Sequence, residues 1–133
     1  MRKITEIIIH CSATKEGKDF TVEDIDRWHR QRGFSGVGYH FIIRLDGSIQ
    51  AGRSKNLIGA HCKGHNTISL GVCYIGGLST DGKPKDTRTA AQKDSLHALV
   101  EQLKEEFPLA TVHGHNEFAN KACPCFDVQK EFG

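Results

Sequence analysis

The run Glu6-Ile7-Ile8-Ile9-His10 constrains the fold more than any other stretch of the chain. Three consecutive β-branched apolar residues show no polar alternation, so they suit a central strand buried on both faces. Such a sheet needs helices to cover it, and two capping boxes supply them. Thr21-Val22-Glu23-Asp24 has the box form with Asp in the place of Glu, and Ile25 and Trp28 follow at helical spacing up to Gly33, which predicts a helix over 22–32. Thr89-Ala90-Ala91-Gln92 is the second box. Leu96, Leu99, Val100, Leu103 and Phe107 then mark one face of a helix that stops before Pro108.

The remaining elements are shorter. Residues 39–51 alternate around Asp46-Gly47 and predict two antiparallel strands joined by a type I′ turn. Ser69 to Ile75 reads as a second buried strand, Leu109 to His113 as a last one, and a short final helix is expected near Asp127. Strands separated by helices, with one hairpin, define an α/β class: a single domain with a mixed central β-sheet flanked by helices. A length of 133 residues fits one domain over 1–133, with its core at about 4–128.

Composition narrows the partners. Eighteen Lys and Arg against sixteen Asp and Glu leave a formal charge of +2, too little to create a field that attracts nucleic acid, so no nucleic-acid partner is expected. No apolar run approaches the roughly 18–20 residues of a membrane span, and Met1-Arg2-Lys3-Ile4-Thr5-Glu6 lacks the apolar region of a signal peptide. The expectation is synthesis in the cytoplasm without membrane insertion. Five cysteines are an odd number and too sparse for a disulfide scaffold, which leaves them as thiols or metal ligands.

Eight histidines in so short a chain also point toward a metal. His10 closes the first strand, while His115 and Cys123 lie in one late loop, and zinc takes imidazole nitrogen and thiolate sulfur. Three protein ligands would leave a fourth position for chemistry. Spacing alone does not bring His10 to a loop about a hundred residues later, and on this ground Cys123 and Cys125 serve equally. A zinc nucleobase deaminase fits less well, because Cys123-Pro124-Cys125 places Pro between the cysteines instead of before a C-x-x-C pair. A His10–Cys11 dyad is disfavoured because neighbours on a strand point to opposite faces. Gly33, Gly36 and Gly38 precede no Lys-Ser/Thr pair, so they read as an irregular loop and not a phosphate cradle.

Five short blocks, in order, carry a resemblance: Ile9-His10-Cys11-Ser12-Ala13-Thr14, Val37-Gly38-Tyr39-His40-Phe41, Gly59-Ala60-His61, Ser69-Leu70-Gly71-Val72 and Lys121-Ala122-Cys123-Pro124. The chain resembles the type-2 N-acetylmuramoyl-L-alanine amidases, above all the bacteriophage lysozymes of the amidase class, which share a fold with peptidoglycan recognition proteins. The resemblance implies one zinc ion held by His10, His115 and Cys123, with Cys125 at a position where small residues are tolerated. It implies catalytic roles for Tyr39 and Lys121, which would meet the developing oxyanion or move a proton, and substrate contacts for His61 and Asn66. His113 is expected as a strand or supporting residue, and His29, His65 and His97 as structural ones. The activity implied is cleavage of the amide between the lactyl group of N-acetylmuramic acid and L-alanine, in a phage or prophage endolysin acting on peptidoglycan or a muropeptide. The alternative on the same fold is a non-catalytic peptidoglycan-binding module, in which the metal cysteine is typically replaced. The phage enzymes continue through a longer final helix than the stretch after Asp127 supplies.

Overall fold

The isoleucine run lies where its lack of alternation puts it, inside a sheet. In the computed structural model, which describes residues 2–133, the chain runs β1 (Glu6–Cys11), β2 (Thr14–Lys15), α1 (Val22–Gln31), β3 (Phe41–Ile43), β4 (Ile49–Ala51), β5 (Ser69–Tyr74), β6 (Gly77–Leu78), α2 (Ala90–Glu106), β7 (Thr111–Gly114) and α3 (Val128–Phe132). Five strands form one sheet in the order β4-β3-β5-β1-β7. The β3–β4 pair is antiparallel and the other pairs are parallel, so the sheet is mixed, as the α/β pattern requires.

Strand parity divides the interior. Ile7, Ile9 and Cys11 pack with Leu70, Val72 and Tyr74 against the α2 stripe of Leu96, Leu99, Val100 and Leu103. On the opposite face, Ile42 and Ile75 join Ile25 of α1 and Val37. Ile8 and His10 belong to that second face, since successive side chains of a strand alternate, and both are buried. His10 is therefore held by the sheet and is not a loop residue.

Both capping boxes form. Thr21 and Asp24 exchange backbone and side-chain bonds at the start of α1, as do Thr89 and Gln92 at the start of α2. Gln92 does more than cap: its buried Nε2 donates to the Ile43 carbonyl at 3.3 Å and the Ile75 carbonyl at 3.0 Å, which ties α2 to the ends of β3 and β5. Just before the α2 cap Arg88, its side chain only 2% exposed, pairs with Asp86 and Glu131 and lies 3.4 Å above the Phe126 ring, joining α3 to the loop before α2. No helix among the described residues is long and apolar enough to cross a membrane.

Two local expectations need correction. The hairpin turn is not type I′, which needs positive φ at both central residues: Gly47 alone has it, at 86°, while the Gly47 amide donates to the Arg44 carbonyl and the Arg44 amide to the Ser48 carbonyl. This is a tight turn followed by a left-handed glycine, the usual three-residue solution. The hairpin strands are also shorter than 39–51, because Tyr39 and His40 precede the antiparallel ladder. The two-residue parallel pair β2–β6 has no periodic signature to read.

Capping and cross-bracing separate experimentally. Thr89→Ala removes one cap and is expected to cost about 1 kcal/mol. Gln92→Leu strands the Thr89 amide and two buried carbonyls and is expected to cost about 3 kcal/mol. Urea unfolding of both variants checks the order.

Candidate active site

The sheet register assembles the first two site residues. β1 and β7 pair in parallel with Ile9 opposite Gly114, so the next residues along the chain are His10, still in β1, and His115, just past the end of β7. Their ring centroids lie 4.6 Å apart. His115 starts a 3-10 turn, His115–Glu117, braced by the Gly114 amide donating to Glu117 Oε2 at 2.7 Å. Cys123 comes from the following loop, which the buried Tyr74 hydroxyl pins by donating to the Pro124 carbonyl at 2.6 Å. The Cys11 amide then donates to Cys123 Sγ at 3.2 Å.

One donor atom from each of His10, His115 and Cys123 falls within 4.8 Å of the others. Cys123 Sγ is 3.8 Å from His10 Nδ1. Across a tetrahedral zinc with ordinary Zn–S and Zn–N bonds that separation is about 3.5 Å, so the donor set and its spacing suit the ion. Cys125 turns away and donates its thiol to the Gly77 carbonyl at 3.3 Å. His113 lies outside the cluster, between Thr111 and Glu117.

Above the cluster opens a cleft of ≈ 730 Å³, lined by Tyr39, His61, Asn66, His115 and Lys121 among others. The structure thus brings together all seven residues singled out from the sequence, with His10 and Cys123 beneath the five that line the wall. Tyr39 sits 5.0 Å from His10, ring to ring, and burial pushes its hydroxyl pKa well up, so it stays protonated. Burial, with the neighbouring His61, His115 and Lys121, holds the His10 pKa well down. Burial and Lys121 also lower the His115 pKa. Neutral imidazole is the form that ligates metal.

His61 and Asn66 form a unit. Asn66 Oδ1 accepts from the amides of His61 and Cys62, both at 3.0 Å, so its side-chain carbonyl shapes the loop. His61 Nδ1 lies 2.8 Å from His10 Nε2. The His61 ring rests over Gly71, where a Cβ would come within 2.7 Å of it. Gly71 inside a buried strand is the one local sign of that close approach.

Other cleft residues carried no sequence signature. Arg32, Phe34, Lys63 and Phe118 line it through loop packing alone. Phe118 stacks on His65 at 3.9 Å, and His65 in turn bonds Glu6. His29 also lines the cleft, yet its Nδ1 accepts from the Gly38 amide at 2.9 Å, a structural use. His97 is remote, paired with Glu131 and stacked on Phe132.

Comparison with known proteins follows the same outline. A family model for N-acetylmuramoyl-L-alanine amidase matches residues 1–126. The endolysin of Escherichia phage T7 is 44% identical over 124 residues, covering 93% of this chain and 82% of that protein. Among solved structures, the N-acetylmuramoyl-L-alanine amidase LysC from Clostridium intestinale URNW superposes with a TM-score of 0.83 at 30% identity, over 98% of this chain and 83% of that one. Drosophila PGRP-LB gives 0.79 at 27% identity, over 93% and 76%.

The buried histidines impose a pH dependence. His40 is neutral, with Nδ1 accepting from the Gly71 amide and Nε2 donating to the Leu57 carbonyl, and burial pushes its pKa down to about 4. His61 is pushed down by burial to about 3. The unfolded chain takes up protons below about 6.5 that the folded chain refuses, so their contribution is full above that pH and is lost on acidification. The melting temperature of chelator-treated protein is expected to fall from pH 7 to about 4.5, and less steeply in His40→Asn. A flat profile over that window would contradict this.

Proposed function

The chain belongs to the N-acetylmuramoyl-L-alanine amidase family, and from that premise we propose that it is a zinc-dependent endolysin amidase. It hydrolyses the amide between the lactyl carbonyl of N-acetylmuramic acid and the amino group of L-alanine in peptidoglycan. The observation that carries the zinc dependence is the convergence of His10, His115 and Cys123 beneath a cleft walled by Tyr39 and Lys121. Zinc, when bound there, supplies Lewis-acid polarisation and an acidified water.

The protein's own groups do the rest. Two neutral imidazoles and one thiolate leave the centre with less positive charge than three imidazoles would, so further oxyanion donors are needed. Lys121 brings a positive charge to the cleft, and Tyr39 remains a hydroxyl donor because burial disfavours its ionised form. The same two groups carry the protons available to the departing amine. Arg32, Lys63 and Lys121 line the cleft and, among the described residues, no acidic one does, which suits the carboxylates of a stem peptide. Asn66 and the loop around His61 form the wall along which that peptide lies.

A binding module without catalysis has no use for a thiolate aligned with two imidazoles. Cys123 therefore favours the enzyme over the recognition module, although the recognition proteins share the fold. As an endolysin the protein acts on the cell wall.

Release of new L-alanine amino termini from purified peptidoglycan, with and without a chelator, tests the proposal together with three variants. Cys123→Ser is expected to lose bound zinc and turnover; full zinc and full turnover in it would overturn the ligand assignment. Tyr39→Phe and Lys121→Ala are expected to keep zinc and melting temperature while kcat falls about 10²-fold, the size of a lost oxyanion donor.

A further inference from the structure

We propose that His61 is a positioning residue for the metal centre: it accepts a hydrogen bond from His10 and thereby fixes the tautomer and orientation of that ligand. The inference rests on the proposed zinc site and assigns His61 a task different from contacting substrate. Three observations support it. His10 Nδ1 is the ring atom that faces Cys123 Sγ, at 3.8 Å, whereas His10 Nε2 faces His61 Nδ1 at 2.8 Å. A neutral imidazole ligating through Nδ1 carries its proton on Nε2. That N–H therefore points at His61 Nδ1, which must be the acceptor.

The rest of the His61 ring is held to suit. With Nδ1 unprotonated, the His61 proton resides on Nε2, which lies 3.3 Å from Ser69 Oγ. The tautomers follow in one chain from His10 through His61 to Ser69, whose hydroxyl oxygen accepts from His61 Nε2. Gly71 and Gly59 leave the ring its space, since a Cβ at either would stand 2.7 Å from a His61 carbon. Asn66 holds the His61 backbone from the other side. The two ring centroids lie 4.9 Å apart with planes at 88°, a twist that an N–H···N bond lying in the plane of each ring leaves free.

Without this acceptor, the Nε2–H of a ring that is 1% exposed loses its partner. The ligand then pays a desolvation cost or rotates away from the metal. Loss of such an outer partner typically weakens metal binding about 10–100-fold.

Competition against a zinc chelator, read as zinc affinity and independent of turnover, is the test. His61→Leu removes the acceptor and is expected to bind zinc about 10–100-fold more weakly. His61→Asn, whose Oδ1 occupies the place of Nδ1, is expected to restore most of the affinity, and His61→Gln, whose oxygen reaches past that place, is not. Melting of the metal-free proteins establishes that each variant is folded, and the Asn–Gln contrast carries the test should His61→Leu fail to fold. Wild-type affinity in both His61→Leu and His61→Gln, or equal losses in Asn and Gln, would overturn the proposal. Cys123→Ser stands beside them as the control: if it too binds zinc like the wild type, the zinc site itself is wrong, and the role of His61 falls with it.

Discussion

The parallel pairing of β1 with β7, Ile9 opposite Gly114, is the constraint on which the site depends. It delivers His10 and His115 side by side at the carboxyl ends of adjacent strands. A slip of one residue would turn His10 into the core beneath α2 and bring Cys11 to the site face. The register is protected because every residue of β1 after Glu6 is buried, so any slip misplaces apolar side chains on both faces. The pairing of β1 with β5 adds a second consequence: Gly71 lies beside Ile8, one step below His10 on the same face, and leaves room for His61. Two strand pairings therefore place two imidazoles and the floor for a third.

What the strands do not supply, pinned loops do. Cys123 is held by the Cys11 amide and by the Tyr74 hydroxyl acting on the next residue. The loop that presents His61 is braced from behind by Arg2, whose guanidinium donates to the carbonyls of Lys55, Asn66 and Ser69. Metal sites lose function when ligands are held loosely, and each of the three candidate ligands, or its neighbour, has at least one fixed hydrogen-bond partner. Tyr39 and Lys121 contrast with each other: Tyr39 is enclosed by aromatic rings, including His10 and His29, whereas Lys121 is exposed at the rim. The rim position leaves the ammonium solvated.

Much of the fold was legible because it rests on local chemistry. The isoleucine run, both capping boxes and the α2 stripe are signals within a few residues, and each stands where its pattern put it. The hairpin was legible as a hairpin, but its turn was not, since Asp-Gly serves a left-handed glycine after a tight turn as well as a type I′ turn. Two-residue strands such as β2 and β6 fall below any period. The gathering of His10, His115 and Cys123 was legible only through resemblance to a known family, because a strand register joins residues about a hundred positions apart and leaves no trace in spacing. His61 shows the same limit in another form: its place in the cleft was expected, while its bond to His10 depends on the empty face of Gly71 and on Asn66, neither of which announces a partner. Arg32 and Lys63 enter the cleft through loop packing, which no motif records.

The central claim is that the β1–β7 register and the pinned loop of Cys123 together bring His10, His115 and Cys123 into one zinc site. X-ray absorption of the zinc-loaded protein measures it most directly, since sulfur and imidazole shells are distinguishable. The account predicts one sulfur at about 2.3 Å, two imidazole nitrogens at about 2.0–2.1 Å and one further light atom. A shell without sulfur, or one with two sulfurs that brings Cys125 into the site, would contradict it.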